Sequence, residues 1–243
     1  GFLFAGQGAQ KVGLLADLVA RFTSLKAKLQ KYDAAVKAEA GFSLLEALYP
    51  PAGTDPVKAQ AYLTQTEICQ PAMAALGLAM GELLRECNVL PDVTLGHSLG
   101  EFAAASSAGM LSGADAVKLV AIRGRMMNEL GLTDTGAMLA VMAERSKVEA
   151  VLPSLSGVVV ANHNHPTQTV LSGTTAGIDA AQKALVTDGF KVTRLDVSHA
   201  FHSPLMAGMD EKMKALVTAL PLNEPKVPVI SCISGRAYES VAD

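Results

Sequence analysis

The sequence predicts a large α/β domain that is interrupted by a small inserted α+β domain. In residues 1–135, and again after residue 203, short apolar runs typical of strands alternate with longer segments of helical periodicity. Between these parts, residues 136–203 follow the order β-α-β-β-α-β of a split βαβ unit. We therefore expect one domain made of residues 1–135 and 204–243 and a second made of residues 136–203.

The elements of the large domain follow from local patterns. Phe2–Ala5 and Val93–Leu95 are short apolar runs of strand type, each followed by glycine-rich turns. Apolar residues at helical spacing predict one long helical region from Lys11 to Leu48, ended by the prolines at 50–51. Further helices are predicted at 70–87 (with Pro71 near its start), 101–108, 114–130 and 204–220, and a last strand at 227–232.

The small domain shows shorter elements. Strands are predicted at 137–143, 158–162, 168–171 and 191–197, and helices at 145–155 and 178–189. A polar turn at 164–167 joins the middle two strands. This order is that of a ferredoxin-like subdomain.

Composition narrows the function classes. Of the 243 residues, 50% are hydrophobic and 18% charged, and the net charge of −3 argues against a nucleic-acid partner. We expect no membrane span, because no apolar run is long enough. The three widely spaced cysteines favour a reducing, cytoplasmic location, and no Cys/His/carboxylate cluster has the spacing of a metal site. Because the chain begins at Gly1 rather than Met, we expect a domain of a longer polypeptide.

The segment Gly96–Gly100 carries the pattern Gly-x-Ser-x-Gly between a predicted strand and a predicted helix. In that context Ser98 stands on a tight turn at a helix N-terminus, where an alkoxide is favoured and the N–H of Leu99 can serve an oxyanion hole. The alternative is a glycine-rich turn with a capping serine. The strand and helix on either side favour a nucleophile.

A serine nucleophile needs a base, and five histidines are candidates. His97 adjoins Ser98 but its side chain points away in a tight turn, and His163 and His165 fall in the polar turn of the small domain. His199 and His202 follow a predicted strand end, where active sites of α/β sheets lie. From the residues alone, one of these two is the base and the other is structural.

Arg123 is a charged residue on the apolar face of the helix predicted at 114–130. It lies four residues after Leu119 and so falls on the same apolar stripe as Ile122 and Met126. A guanidinium there needs an anion, either a protein carboxylate or a substrate. Together with a serine nucleophile, the second reading suggests an acyl group that ends in a carboxylate.

Six segments together resemble one known family. The sequence is similar to the malonyl-CoA:acyl carrier protein transacylases and to the acyltransferase domains of polyketide and polyunsaturated fatty-acid synthases. The resemblance is carried, in the family's order, by Phe4–Gln10, Gln70–Ala72, Gly96–Glu101, Arg123–Met127, Ala161–Asn164 with Leu171–Gly173, and His199–Met206. It implies an α/β-hydrolase-like core with an inserted ferredoxin-like subdomain.

The resemblance also implies a role for each site residue. Ser98 would be acylated and His202 would be its general base, with the backbone N–H groups of Gln7 and Leu99 as the oxyanion hole. The remaining roles concern the acyl group: Arg123 would bind the malonyl carboxylate, His97 would line the acyl pocket, and Phe201 would fill the space that an α-methyl group needs.

The expected reaction takes a malonyl group from malonyl-CoA to the phosphopantetheine thiol of an acyl carrier protein, with no bound cofactor and with neighbouring megasynthase domains as further partners. Two alternatives stay open. A serine esterase or thioesterase would need an acidic residue between Ser98 and His202, and the candidates all fall in the small insert or its last strand. A non-catalytic module that only docks a carrier protein would leave Ser98, His202 and Arg123 unexplained.

Overall fold

The computed structural model describes residues 1–238 and 240–242, in two compact units. The first comprises Gly1–Asn128 and Lys212–Asp243, and the second comprises Glu129–Glu211. The boundaries expected at 136 and 203 thus lie inside the second unit. At the first boundary, hydrogen bonds attach residues 134–135 to the second unit: the Asp134 carboxylate accepts from the Thr175 N–H at 2.9 Å, and the Ala200 N–H donates to the Thr135 carbonyl at 2.8 Å.

A parallel three-stranded sheet lies at the centre of the first unit. Its strands are β1 (Phe2–Phe4), β2 (Thr94–Gly96) and β7 (Val229–Ile230), in the order β1-β2-β7. Leu3 pairs with Leu95, which pairs in turn with Ile230. This register sets the carboxyl ends of the three strands at one edge, where parallel sheets place their functional side chains.

The helices of the first unit bury an apolar core against this sheet. They are α1 (Ala16–Arg21), α2 (Thr23–Ala40), α3 (Leu44–Leu48), α4 (Pro56–Thr64), α5 (Thr66–Glu86), α6 (Gly100–Ser107) and α7 (Gly113–Asn128). Among the described residues, no helix is both long and apolar enough to cross a bilayer.

The prediction of one helical region from Lys11 to Leu48 is wrong. The chain leaves helical geometry at Phe22, which has extended dihedral angles, and at Gly41, whose φ of 79° ends α2 in the left-handed region. Helix α4 was not predicted, although Asp55 caps it and Pro56 opens it. Pro71 lies inside α5 rather than near its start, because that helix already begins at Thr66.

The second unit is an antiparallel four-stranded sheet with helices. Strands β3 (Ala137–Val141), β4 (Val158–His165), β5 (Gln168–Gly173) and β6 (Val192–Arg194) are ordered β4-β5-β3-β6. Helices α8 (Arg145–Glu149) and α9 (Thr175–Thr187) complete the β-α-β-β-α-β order. Alternate strand residues and one face of α9 form a separate apolar core that includes Leu139, Leu171 and Ile178.

Three predictions for this unit need correction. The helix predicted to Leu155 ends at Glu149, and a 3₁₀ turn at Leu152–Ser154 follows. His163 and His165 lie on strand β4 rather than in a polar turn, and His165 Nδ1 accepts the Thr167 N–H at 3.2 Å across the hairpin. The helix predicted from Pro204 begins as a 3₁₀ helix, Pro204–Met209, and becomes α10 (Asp210–Thr218) only afterwards, where the chain returns to the first unit at Lys212.

Candidate active site

Ser98 occupies a sharp turn between β2 and α6. Its φ is 51°, in the left-handed region that a non-glycine residue rarely adopts. The turn is held by backbone hydrogen bonds from His97 N–H to the Phe4 carbonyl at 2.9 Å, from Gly100 N–H to the His97 carbonyl at 2.9 Å, and from Glu101 N–H to the Ser98 carbonyl at 3.0 Å. A strained serine between a strand and a helix is the geometry of a nucleophile elbow.

Glycines permit this turn by close approach. A Cβ on Gly96 would lie 2.0 Å from the carbonyl carbon of Gly100, and a Cβ on Gly100 would lie 2.1 Å from the carbonyl oxygen of Phe4. A Cβ on Gly6 would lie 2.5 Å from the His97 carbonyl oxygen. The loop that contains Gly6 therefore passes directly against the Ser98 turn.

Both predicted oxyanion donors belong to these two segments. Leu99 is 2% exposed and sits at the N-cap of α6, where backbone N–H groups have no carbonyl partner within the helix. Gln7 follows Gly6 in the adjoining loop, and its side-chain Nε2 donates to Thr66 Oγ1 at 3.4 Å. The structure thus brings the Gln7 loop and the Leu99 N-cap to the same turn.

The side chain of Arg123, on helix α7, contacts two uncharged groups. Its Nη1 donates to Gln70 Oε1 at 2.8 Å, and its Cζ lies 5.7 Å from the centre of the Phe102 ring. Burial lowers the pKa of the guanidinium to about 10, while the Glu101 carboxylate acts in the opposite direction. The group is still charged at neutral pH, its Nη1 donates to the Gln70 amide, and the protein carboxylate that acts on its pKa is that of Glu101.

Gln70 is a functional residue that the sequence analysis did not assign. It is 1% exposed, and its Nε2 lies 3.2 Å from the Met127 sulfur while its Oε1 accepts from Arg123. Because buried amides are found where they are hydrogen-bonded, a glutamine within the apolar stretch of α5 was the available signal. Gln70 fixes the direction in which the Arg123 side chain extends.

The contact between Glu101 and Cys232 beside the nucleophile was not predicted. Glu101 Oε1 accepts the Cys232 N–H at 2.7 Å, and the Cys232 thiol contacts the Gly96 carbonyl and a backbone N–H of Ser98. Burial is the main cause that raises the pKa of this thiol. These contacts attach the chain after β7 to the Ser98 turn, and residues so distant in sequence gave no signal of it.

The His199–Ser203 segment lies in the second unit. His202 has a φ of 57°, the same strained region as Ser98. Ser203 holds the segment, since its hydroxyl donates to the Ala200 carbonyl at 2.7 Å and accepts from the Leu205 N–H at 3.3 Å. His199 is buried, its ring centre lies 5.9 Å from that of Phe201, and burial lowers its pKa. His199 therefore has the surroundings of a structural histidine.

The predicted site residues divide between the two units. The structure places five of them in the first unit, namely Gln7, His97, Ser98, Leu99 and Arg123. Phe201, which is 8% exposed, and His202, which is exposed, belong to the second unit.

Comparison with known proteins decides the family. A model of the acyl transferase domain matches residues 1–241. The chain belongs to this family. Polyketide synthase GfsA of Streptomyces halstedii is 36% identical over 239 residues, which are 97% of this chain and 3% of that protein. The acyl transferase domain described here is therefore similar to a small part of such a synthase.

Two shorter relatives match over most of their length. The malonyl CoA-acyl carrier protein transacylase of Bacillus subtilis is 34% identical over 248 residues, covering 100% of this chain and 75% of that protein. The crystal structure of FabD from Acinetobacter baumannii superposes with a TM-score of 0.88 at 32% identity, covering 99% of this chain and 75% of the other. The first unit, the second unit and their mixed α/β content are thus those of acyl transferase domains.

Proposed function

We propose that this acyl transferase domain moves a malonyl group from malonyl-CoA, through an ester on Ser98, to the phosphopantetheine thiol of an acyl carrier protein. The pathway would be polyketide or fatty-acid biosynthesis. The observation that carries the proposal is Arg123, a charged guanidinium on α7 that is held against Gln70 and against Phe102 of α6, the helix that begins after the Ser98 turn. A carboxylate that binds it forms two parallel, charge-assisted hydrogen bonds.

In the first half-reaction, His202 takes the proton from the Ser98 hydroxyl as Oγ attacks the thioester carbon of malonyl-CoA. The N–H groups of Leu99 and Gln7 stabilise the oxyanion that forms. The carbon–sulfur bond then breaks, and the CoA thiolate leaves with the proton from His202. The product is a malonyl ester of Ser98.

In the second half-reaction, the thiol of the carrier protein's phosphopantetheine gives its proton to His202 and attacks the ester carbon. The same two N–H groups stabilise the second oxyanion. The ester bond breaks, and Ser98 Oγ recovers the proton from His202. Malonate remains attached to the carrier as a thioester, and the enzyme is regenerated without any metal or redox cofactor.

Selectivity within the acyl group has two sources. Arg123 disfavours acyl groups without a carboxylate, because binding them would leave the guanidinium unpaired. Phe201 occupies the space that an α-methyl group needs, so malonyl is preferred to methylmalonyl by the roughly 1–3 kcal/mol that one methyl group contributes. His97, which is exposed beside Ser98, lines the acyl pocket.

We extend the proposal to the fold and the cellular location. The parallel order β1-β2-β7 with the Ser98 elbow supports an α/β-hydrolase-like core. The antiparallel order β4-β5-β3-β6 supports a ferredoxin-like subdomain inserted into it. Free cysteines at 69, 87 and 232 support a cytoplasmic location.

The test is formation of the acyl-enzyme. The protein is incubated with malonyl-CoA, and its intact mass is measured with and without a carrier protein. The wild type and a Ser106→Ala control, altered on the same helix α6, gain the mass of one malonyl group, whereas Ser98→Ala does not. Transfer to the carrier supports a transferase, and release of free malonate without a carrier supports a hydrolase. Labelling of Ser98→Ala would refute the assignment of the nucleophile.

A further inference from the structure

We propose that Thr66 is a positioning residue that holds the Gln7 loop where its backbone N–H can stabilise the oxyanion. The inference rests on the proposed function, in which Gln7 is one of the two oxyanion donors. It assigns a role in catalysis to a side chain that takes no part in the chemistry and that the family motifs do not single out.

The Gln7 loop is tied to the first turn of α5 at two consecutive residues. Thr66 is 1% exposed and is the first residue of α5, and its Oγ1 accepts the Gln7 side-chain Nε2 at 3.4 Å. The next loop residue, Gly8, donates its backbone N–H to Gln10 Oε1 at 2.7 Å, and the same N–H also faces the Cys69 thiol, whose pKa burial raises to about 12. A neutral thiol and a neutral hydroxyl, both buried, thus hold the two residues from one side.

The other side of the loop is held by the nucleophile turn itself. Gly6 packs so closely on the His97 carbonyl oxygen that a Cβ there would lie at 2.5 Å. The loop is therefore clamped between the turn that presents Ser98 and the first turn of α5. Thr66 is the contact made through the Gln7 side chain, and it thereby restricts the movement of the residue that carries the Gln7 N–H.

The same turn of α5 also positions the carboxylate-binding group. Gln70 holds Arg123, and α7 approaches so closely that a Cβ on Gly124 would lie 2.7 Å from the Glu67 Cα and 2.9 Å from the Thr66 carbonyl oxygen. One rigid segment, Thr66–Gln70, therefore contacts both the oxyanion loop and the arginine helix. Oxyanion donors contribute to catalysis only when their N–H groups already point to the position of the oxyanion. A residue that positions such a donor is therefore expected on a buried helix.

The experiment compares acylation kinetics of Thr66→Val with those of the wild type and of Thr66→Ser, using malonyl-CoA. Loss of one neutral hydrogen bond predicts a fall of about 3- to 10-fold in the rate constant of Ser98 acylation, with KM unchanged. Serine keeps the acceptor oxygen and restores the rate. Thr169→Val is the matched control, because Thr169 is also buried and its hydroxyl donates to the Ala143 carbonyl at 3.1 Å in the other unit. We expect this variant to lose stability while its rate constant of Ser98 acylation stays unchanged.

Gln7→Met removes the same hydrogen bond from the other side and slows acylation by the same factor, even if Thr66→Val does not fold. In the double variant the two effects do not add, because one bond is lost in each case. Three results would overturn the role of Thr66: rate effects that add in the double variant, a normal acylation rate in Gln7→Met, or an acylation rate that Thr66→Ser does not restore. A wild type that malonyl-CoA does not acylate would instead refute the proposed function.

Discussion

Replacing Arg123 by alanine tests the link between this side chain and the choice of acyl group. The guanidinium has five N–H donors, of which Gln70 engages Nη1, and a carboxylate needs two parallel donors. The variant removes those donors and the charge together. It leaves the Ser98 turn intact, since the hydrogen bonds of that turn come from Phe4, His97, Gly100 and Glu101.

The size of the effect follows from the number and type of bonds lost. A hydrogen bond to a charged group contributes about 1.5–3 kcal/mol, so loss of a bidentate pair costs roughly 3 kcal/mol in a partly screened site. This corresponds to a fall of roughly 100- to 200-fold in kcat/KM for malonyl-CoA. Acetyl-CoA changes in the opposite direction by roughly 10-fold, because no guanidinium is left unpaired beside its methyl group.

The assay is competition between malonyl-CoA and acetyl-CoA, read from the mass of the acyl-enzyme. Arg125→Ala is the control, because Arg125 lies on the same helix with its guanidinium 3.9 Å from the half-buried Glu39 carboxylate. We expect the ratio of malonyl to acetyl product to fall by roughly 1,000-fold in Arg123→Ala and to stay constant in Arg125→Ala. An unchanged ratio in a folded Arg123→Ala protein would show that Arg123 serves the fold and not the substrate.

Two other predictions concern the second unit. Phe201→Ser increases the use of methylmalonyl-CoA about 10-fold in the same competition assay, because the ring no longer fills the methyl site; an unchanged product ratio would place this selectivity elsewhere. Asp134→Ala lowers the melting temperature at pH 7, since Asp134 caps α9 through Thr175 and also accepts the Gly136 N–H at 2.8 Å. These bonds lower the Asp134 pKa, so the stabilisation is present above the ordinary aspartate pKa and is lost as the pH falls through the lowered one. The difference in melting temperature from wild type should therefore vanish in strong acid, and a difference that persists there would contradict this origin.

Much of the fold could be predicted because local patterns determined it. The strand and the helix that flank the Ser98 turn, the Ala-rich helix α5 and the β-α-β-β-α-β order all follow from apolar periodicity and glycine positions. The break of the long helical region at Phe22 could not be predicted in this way. Phe22 is neither proline nor glycine, so the residue types that usually mark the end of a helix do not indicate this break.

The residues of the candidate site could be predicted where they lie together in one short sequence motif. Ser98 and Leu99 lie in a single five-residue pattern, and Arg123 was visible as a charge on an apolar stripe. The hydrogen-bond partner of Arg123 was not predictable, because Gln70 comes from another helix and the sequence does not indicate which group a buried amide binds. The same limit explains Glu101 and Cys232, whose contact depends on how the chain after β7 returns to the Ser98 turn.

Strain links the two residues proposed to exchange the proton. Ser98 and His202 both have left-handed φ values, of 51° and 57°, although neither is glycine. Each such conformation costs about 1–3 kcal/mol and persists only where neighbouring contacts enforce it. Backbone hydrogen bonds hold the elbow at Ser98, and next to His202 the Ser203 hydroxyl bonds to Ala200 and Leu205. Glycine would relieve the strain at either position but could neither form an ester nor move a proton, so the proposed chemistry requires a residue other than glycine at both.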